Sequence, residues 1–142
     1  MEYQRFDNQV VLRINRGEEI VTSLEEMCSK ENILSASVEA IGAVDDFNIG
    51  LFDVEKKEYS SEHYYILAEV TSLLGTVTEK IGQMYLHLHM NAADKDHHVY
   101  GGHLNTAVVS ATREMIVTII NGQIGRKFDK ETGLNLFQFD NK

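Results

Sequence analysis

Three histidines with a regular spacing are the residues of this chain most able to do chemistry. His87 and His89 lie in the alternating segment 84–90, and His103 follows in the pattern H-x-H-x13-H. In a strand, side chains alternate between faces, so the first two imidazoles share a face at roughly 7 Å between Cα atoms. Three imidazoles with one open position are typical of a catalytic zinc site, and imidazole also binds nickel, copper or iron. The spacing predicts a divalent metal site, with zinc as the first choice.

The third histidine needs a chain reversal to reach the other two. The paired glycines Gly101 and Gly102 permit backbone paths that other residues resist. They follow the segment 91–100, which we interpret as a loop that folds the chain back over the first strand. We therefore expect the three histidines to converge on one ion.

Two carboxylates are candidates for the base that metal-assisted chemistry needs. Glu39 interrupts the apolar segment 37–41, and Glu114 opens the apolar segment 115–120. An acid in a buried strand must be paired, protonated or metal-linked, whereas a charge at a strand end that reaches water needs no such role. Arg113 precedes Glu114 and points to the opposite face, so these neighbours do not pair on a regular strand.

The other chemistry-bearing residues favour structural roles. His97 and His98 lie in a charged stretch that is typical of a solvated loop, and His63, beside two tyrosines, is typical of a surface or core histidine. Cys28 lies on an apolar stripe, which favours a core position over a nucleophile. The sequence contains no P-loop, dinucleotide fingerprint or G-x-S-x-G elbow.

One helix and seven or eight strands are expected around these residues. The helix begins near Glu18, places Glu18 and Glu19 in its first turn, and has Lys30 near its end. The predicted strands cover 10–14, 34–44 with a bulge at Gly42, 47–51, 63–74 as one or two pieces, 84–90, 113–120, 124–128 and 134–139.

Two features of the C-terminal third sharpen this prediction. The segment 113–120 is nearly continuously apolar, which predicts a strand covered on both faces. Asn121 and Gly122 follow it and predict a tight hairpin turn, with 124–128 as the return strand. Without a βαβ alternation, the pattern indicates an α+β fold with a curved, mainly antiparallel, barrel-like sheet in a single domain over residues 1–142.

Composition limits the class of partner. The chain has 142 residues and a formal net charge of −9, which disfavours nucleic acid and anionic membranes. A single cysteine excludes an internal disulfide and a cysteine-based zinc finger. The start of the chain lacks the pattern of a signal peptide, and no apolar run approaches about 18 residues. We expect a soluble, cytoplasmic protein with no membrane contact.

The motifs together resemble the PPC (plant-and-prokaryote conserved) domain, also called DUF296. The resemblance is carried by segments 74–77, 87–90, 101–104 and 112–114 in family order. It implies an α+β fold around a curved antiparallel sheet, and a homotrimer. The fold also resembles that of acetolactate decarboxylase, whose three-histidine zinc site implies that His87, His89 and His103 are metal ligands.

The family resemblance also brings a DNA-binding label. Plant members contact DNA through a preceding AT-hook, whose Arg-Gly-Arg-Pro core cannot exist in this chain because it has no proline. Direct DNA binding would need a local basic patch. The scattered basic residues available for one are Arg5, Arg13, Arg16, Arg113, Arg126 and Lys127.

Three functional hypotheses remain at this point. The first is a cytoplasmic metal-binding protein that binds or processes a small anionic ligand, and its enzyme class, if it is an enzyme, is a metal-dependent lyase or hydrolase. The second is a DNA-binding or regulatory protein. The third is a partner-binding module whose histidines fill a subunit interface.

Overall fold

Residues 1–139 are described by a computed structural model of this chain. Within that range one helix, α1 (Ile20–Lys30), accompanies nine strands that belong to one sheet. The strands are β1 (Glu2–Phe6), β2 (Gln9–Asn15), β3 (Ala36–Asp53), β4 (Glu58–Tyr64), β5 (Ala68–Lys80), β6 (Gln83–Ala93), β7 (Val99–Ile119), β8 (Gly125–Phe128) and β9 (Asn135–Gln138). The predicted domain end, residue 142, lies outside the described residues.

Four strands of the sheet close into a ring. β3 pairs with β5, β5 with β6, β6 with β7, and β7 with β3, all antiparallel. The ring can close because β3 and β7 are long enough to use their two halves against different neighbours. The α+β class and the curved, mainly antiparallel sheet are confirmed.

The bulge predicted at Gly42 helps to bend β3. The register between β3 and β5 shifts between Ala40 and Gly42, and Gly42 has a φ of +148°. A Cβ at this position would lie 2.4 Å from the carbonyl oxygen of Thr112. The two segments predicted as 34–44 and 47–51 therefore form one irregular 18-residue strand rather than two.

The C-terminal hairpin predicted at Asn121 and Gly122 is wrong. The C-terminal half of β7 already pairs with β2 on one edge and β3 on the other, so no edge is left for a return strand. β8 instead joins β5 through one parallel pair and continues antiparallel to β9. Burial along 113–119 also alternates, with Arg113 and Met115 buried and Glu114 exposed, so the prediction that both faces are covered is wrong too.

The core lies between the inner face of the sheet and the helix. The buried face of α1 comprises Ile20, Ser23, Leu24, Met27 and Cys28. Burial raises the pKa of the Cys28 thiol to about 12, so this group is held as an inert thiol, as the core position predicted.

A carboxylate placed just before the helix fixes its N-terminus. α1 begins at Ile20, so the prediction that Glu18 and Glu19 lie in its first turn is wrong. Glu19 is the N-cap, and its carboxylate accepts hydrogen bonds from the amides of Val21 and Thr22. It also accepts one from the amide of Ala107 in β7, at 3.0 Å. One side chain therefore satisfies donors of both the helix and the sheet.

Replacing this cap is expected to destabilise the fold. Glu19→Ala should lower the free energy of unfolding by about 2 kcal/mol, because it removes the cap and orphans the amide of a buried residue. Urea denaturation followed by circular dichroism measures this difference. Glu26→Ala on the exposed face of α1 is the control, and an equal loss in both variants would contradict the assigned role.

Candidate metal centre

A β-hairpin brings the three histidines together. β6 and β7 are joined by residues 94–98, a shorter connection than the predicted loop 91–100. Their register places His89 directly opposite His103, and His87 is two residues away on the same face of β6. The long sequence gap in the motif is therefore the length of one hairpin.

The paired glycines act through close approach rather than through an unusual backbone angle. A Cβ at Gly101 would lie 2.1 Å from Oδ1 of Asn91, and a Cβ at Gly102 would lie 2.7 Å from the carbonyl oxygen of Gly50. Five glycines in the described part of the chain have a positive φ, and Gly101 and Gly102 are not among them. The sequence therefore pointed to the right residues, but the physical reason is space between neighbouring strands.

The imidazoles are close enough to share one ion. Each of the three offers a ligand nitrogen within 4.8 Å of the others. The Nε2 atoms of His87 and His89 are 3.2 Å apart. Two nitrogens bound to zinc at about 2.0–2.1 Å with a tetrahedral angle are about 3.3 Å apart. The donor set and its spacing therefore fit a divalent metal ion without rearrangement of this pair.

The site holds two of its imidazoles, those of His87 and His103, in the neutral form that binds metals. Burial lowers the pKa of His87 to about 4, with further lowering from the charges of His89, His103 and Arg126. Burial and the charge of His89 also lower the pKa of His103. These two rings are neutral at pH 7, so each has one ring nitrogen whose lone pair is free to bind a metal.

The outer face of the sheet is the face that carries the three histidines. It is the side opposite the core, since Leu88 and Met90, which alternate with the histidines on β6, are buried. Thr76 and Thr78 of β5 and Tyr85 of β6 share it, because Thr76 pairs with His87 and Thr78 with Tyr85. The site is thus built on regular strands, which hold the ligands in fixed positions.

The two predicted carboxylates lie on the outer face at a distance from the histidines. Glu39 of β3 pairs with Leu74 of β5, and Leu74 pairs with His89 of β6. Two strand spacings, roughly 9.5 Å, therefore separate Glu39 from His89. Glu114 of β7 pairs with Ile41, which lies two residues after Glu39 in β3. Both carboxylates are exposed and line a groove of about 710 Å³. Their role as catalytic bases stays a prediction.

The remaining histidines take part in local structure. His63 contacts the carboxylate of Asp46 at 2.5 Å and stacks on Tyr65. Asp94 accepts hydrogen bonds from the amides of Asp96 and His98, which fixes the β6–β7 turn. Asp94, Asp96 and His98 also lie within metal-binding distance of one another, but their described contacts are those of a turn.

Two residues next to the cluster were not expected there from the sequence: Tyr59, and Arg126, which the sequence offered only for a basic patch. The Tyr59 ring lies edge-on to that of His103, with centroids 6.1 Å apart. Arg126 reaches the outer face from β8 and contacts Thr76. No local pattern marks either residue, because both arrive from strands that are distant in sequence.

The fold and the site define a class: a small α+β protein with a ring of antiparallel strands and a three-histidine candidate metal centre. The Plants and Prokaryotes Conserved (PCC) domain family matches residues 1–121. The chain belongs to this family, which is the one that the sequence motifs resemble. No curated protein matches the chain.

Solved structures show the same fold. A "putative dna binding protein" from Bacteroides thetaiotaomicron is 29% identical, with a TM-score of 0.95 over 99% of this chain and 98% of that one. A metal-containing protein from Archaeoglobus fulgidus is 35% identical, with a TM-score of 0.86 over 97% of each chain.

A more distant likeness extends to an enzyme. Alpha-acetolactate decarboxylase from Bacillus subtilis strain 168 is 13% identical, with a TM-score of 0.60 over 86% of this chain and 57% of that chain. At this identity the likeness concerns the fold alone.

Within residues 1–139, the one helix described, α1, is not long and apolar enough to cross a membrane.

Proposed function

We propose that this chain is a cytoplasmic metal-binding protein that holds one divalent ion, with zinc as the first choice, through His87, His89 and His103. The observation that carries the proposal is the convergence of three ligand nitrogens within 4.8 Å on regular strands. The similarity to a metal-containing protein from Archaeoglobus fulgidus supports it. Three histidine ligands leave a coordination position for a small anionic ligand.

The residues of the site suit a ligand-binding role. A bound divalent ion supplies Lewis-acid polarisation to a ligand oxygen. The neutral rings of His87 and His103 donate lone pairs, and the strand pairing of His89 with His103 fixes their separation. If the protein turns over its ligand, we propose metal-dependent lyase or hydrolase chemistry, with Glu39 or Glu114 as the candidate bases.

Metal analysis tests the proposal directly. Untagged wild-type protein is expected to carry about one divalent ion per chain, and His87→Ala or His103→Ala less than about a tenth of that amount. His98→Ala is the matched control, since it removes an exposed imidazole from the same hairpin and should retain the metal. Elemental analysis by mass spectrometry gives the stoichiometry. Equal metal content in all four proteins would contradict the site.

We also propose that the protein assembles as a homotrimer. The outer face exposes apolar side chains in the groove, including Val11, Ile41 and Leu74, which are 41%, 56% and 60% exposed. Contact with other subunits would bury them and stabilise the assembly. Light scattering should give three times the 16.1 kDa chain mass, and a monomer at micromolar concentration would contradict the assembly.

A second candidate function is DNA binding, which the description of the Bacteroides thetaiotaomicron relative favours. The net charge of −9 opposes it, since phosphate contacts need local positive charge. A mobility-shift titration at several salt concentrations separates the two functions. Binding that weakens steeply with salt would support DNA recognition, and no shift at low salt would exclude it.

A further inference from the structure

We propose that Arg126 binds the anionic end of the ligand of the histidine site, so that this ligand is a small oxyanion, such as a carboxylate, placed between the guanidinium and the metal position. The inference rests on the proposed metal-binding function and deepens it by naming the ligand class. It is carried by the way in which the β8–β9 hairpin places one arginine on the outer face.

The backbone of β8 brings Arg126 to the edge of β5. Gly125 pairs with Glu79, and the amide of Glu79 donates to the carbonyl oxygen of Ile124 at 3.1 Å. From this edge the Arg126 side chain extends across the outer face of β5 toward β6. Its Nη2 donates to Oγ1 of Thr76 at 3.1 Å. Because Thr76 is the strand partner of His87, the guanidinium lies beside the histidine cluster.

The guanidinium is held in one orientation by contacts on several sides. Nε donates to Oγ1 of Thr78 at 3.0 Å, and Nη1 donates to the carbonyl oxygen of Asn135 at 3.0 Å. The Tyr85 ring lies 4.9 Å and the Phe137 ring 4.2 Å from its central carbon. Such an arginine has little side-chain entropy left to lose when it binds an anion.

These contacts leave hydrogen-bonding capacity unused. A guanidinium has five N–H donors, and the described contacts use one on each nitrogen, so two remain, one on Nη1 and one on Nη2. Two donors of a planar fork match the two oxygens of a carboxylate.

The charge of Arg126 is also not neutralised by the residues described here. Within residues 1–139, none of the ion pairs involves Arg126, although the chain has 22 acidic residues and only 13 Lys and Arg. The positive charge lies next to the histidine site, because the guanidinium contacts Thr76, the strand partner of His87. A fixed cation beside the three imidazoles favours an anion at that place.

The hairpin that carries Arg126 lies beyond the segment that the family model matches. The family match ends at residue 121, whereas β8 begins at Gly125. The histidines lie within the matched segment, and Arg126 lies in the C-terminal segment that follows it. The structural match to the Bacteroides thetaiotaomicron protein covers 99% of this chain, so it extends into this hairpin.

Binding of two probe anions tests the inference. Glycolate and inorganic phosphate are titrated by calorimetry into zinc-loaded wild type, Arg126→Met, Arg126→Lys and Lys127→Met. Loss of a bidentate charge-assisted contact should weaken binding about 10- to 100-fold in Arg126→Met and less in Arg126→Lys. Lys127→Met removes the same charge from the next, exposed residue, and its affinity should match that of wild type. A preference for glycolate over phosphate would identify a carboxylate ligand, and the reverse a phosphate.

Two further readouts separate the possible failures. Elemental analysis of each variant shows whether the metal is retained, and amide hydrogen exchange of residues 125–138 shows whether the hairpin stays docked. Equal affinity in wild type and Arg126→Met would overturn the role of Arg126 even if the metal is bound. If wild type holds no metal, the proposed function fails, while Arg126-dependent binding of the probes to that metal-free protein would still support the anion site. If the hairpin undocks in Arg126→Met, Arg126→Lys decides, since undiminished binding there would exclude the need for the fork.

Discussion

Gly75→Ala is expected to lower the free energy of unfolding by about 3 kcal/mol and to disrupt the histidine site at the same time. A Cβ at Gly75 would lie 2.2 Å from the carbonyl oxygen of His87 and 2.9 Å from Cα of Leu88. Both atoms are backbone, so no side-chain rotation relieves the contact. β5 and β6 must move apart, and His87 must move with β6.

Two measurements on the same protein check this result. Urea denaturation gives the loss of stability, and metal content gives the loss of the site. Gly125→Ala is the matched control, because its Cβ would meet no atom closer than 3.6 Å, and it should change stability by less than about 0.5 kcal/mol. Wild-type stability and metal content in Gly75→Ala would show that β5 and β6 tolerate the added carbon and that Gly75 has no role at the site.

The convergence of the three histidines was predictable because it depends on local rules. Alternation along 84–90 puts His87 and His89 on one face, and a hairpin after them returns the chain antiparallel. The register that sets His89 opposite His103 follows from the number of residues in that hairpin. Each step involves neighbours in sequence, so the pattern was sufficient.

The environment of the site was not predictable in the same way. Arg126 reaches Thr76 only because β8 joins β5, and that pairing depends on which strand edges are already occupied. The apolar neighbours of Glu39 in sequence left open both a buried acid and a charge that reaches water, and the alternation of the strand leaves Glu39 exposed. When both faces of a strand carry apolar side chains, the residue types alone do not show which face a given side chain occupies.

Arg113 is the residue whose burial departs most from what its charge would lead one to expect. The prediction that Arg113 and Glu114 point to opposite faces is confirmed, but it is the arginine that faces the core, with 0% of its surface exposed. Within residues 1–139, none of its three guanidinium nitrogens has a hydrogen-bond partner. Burial lowers its pKa to about 10, which leaves it charged at pH 7. A buried cation without a partner costs several kcal/mol of desolvation.

Arg113→Met is therefore expected to raise the free energy of unfolding by about 1–3 kcal/mol. The methionine keeps an unbranched apolar stem in the space beside Gly42, whose added Cβ would lie only 3.0 Å from Cδ of Arg113, and removes the desolvated charge. Urea denaturation at pH 7 measures the change.

Arg113→Ala is the contrasting variant, since it removes the charge but leaves a cavity, and should be less stable than Arg113→Met. Glu114→Gln, on the exposed side of the same strand, should leave stability within about 0.5 kcal/mol of wild type. A loss of stability in Arg113→Met would mean that the guanidinium stabilises the native fold, because the side chain is fully enclosed within one chain and a subunit contact cannot account for it.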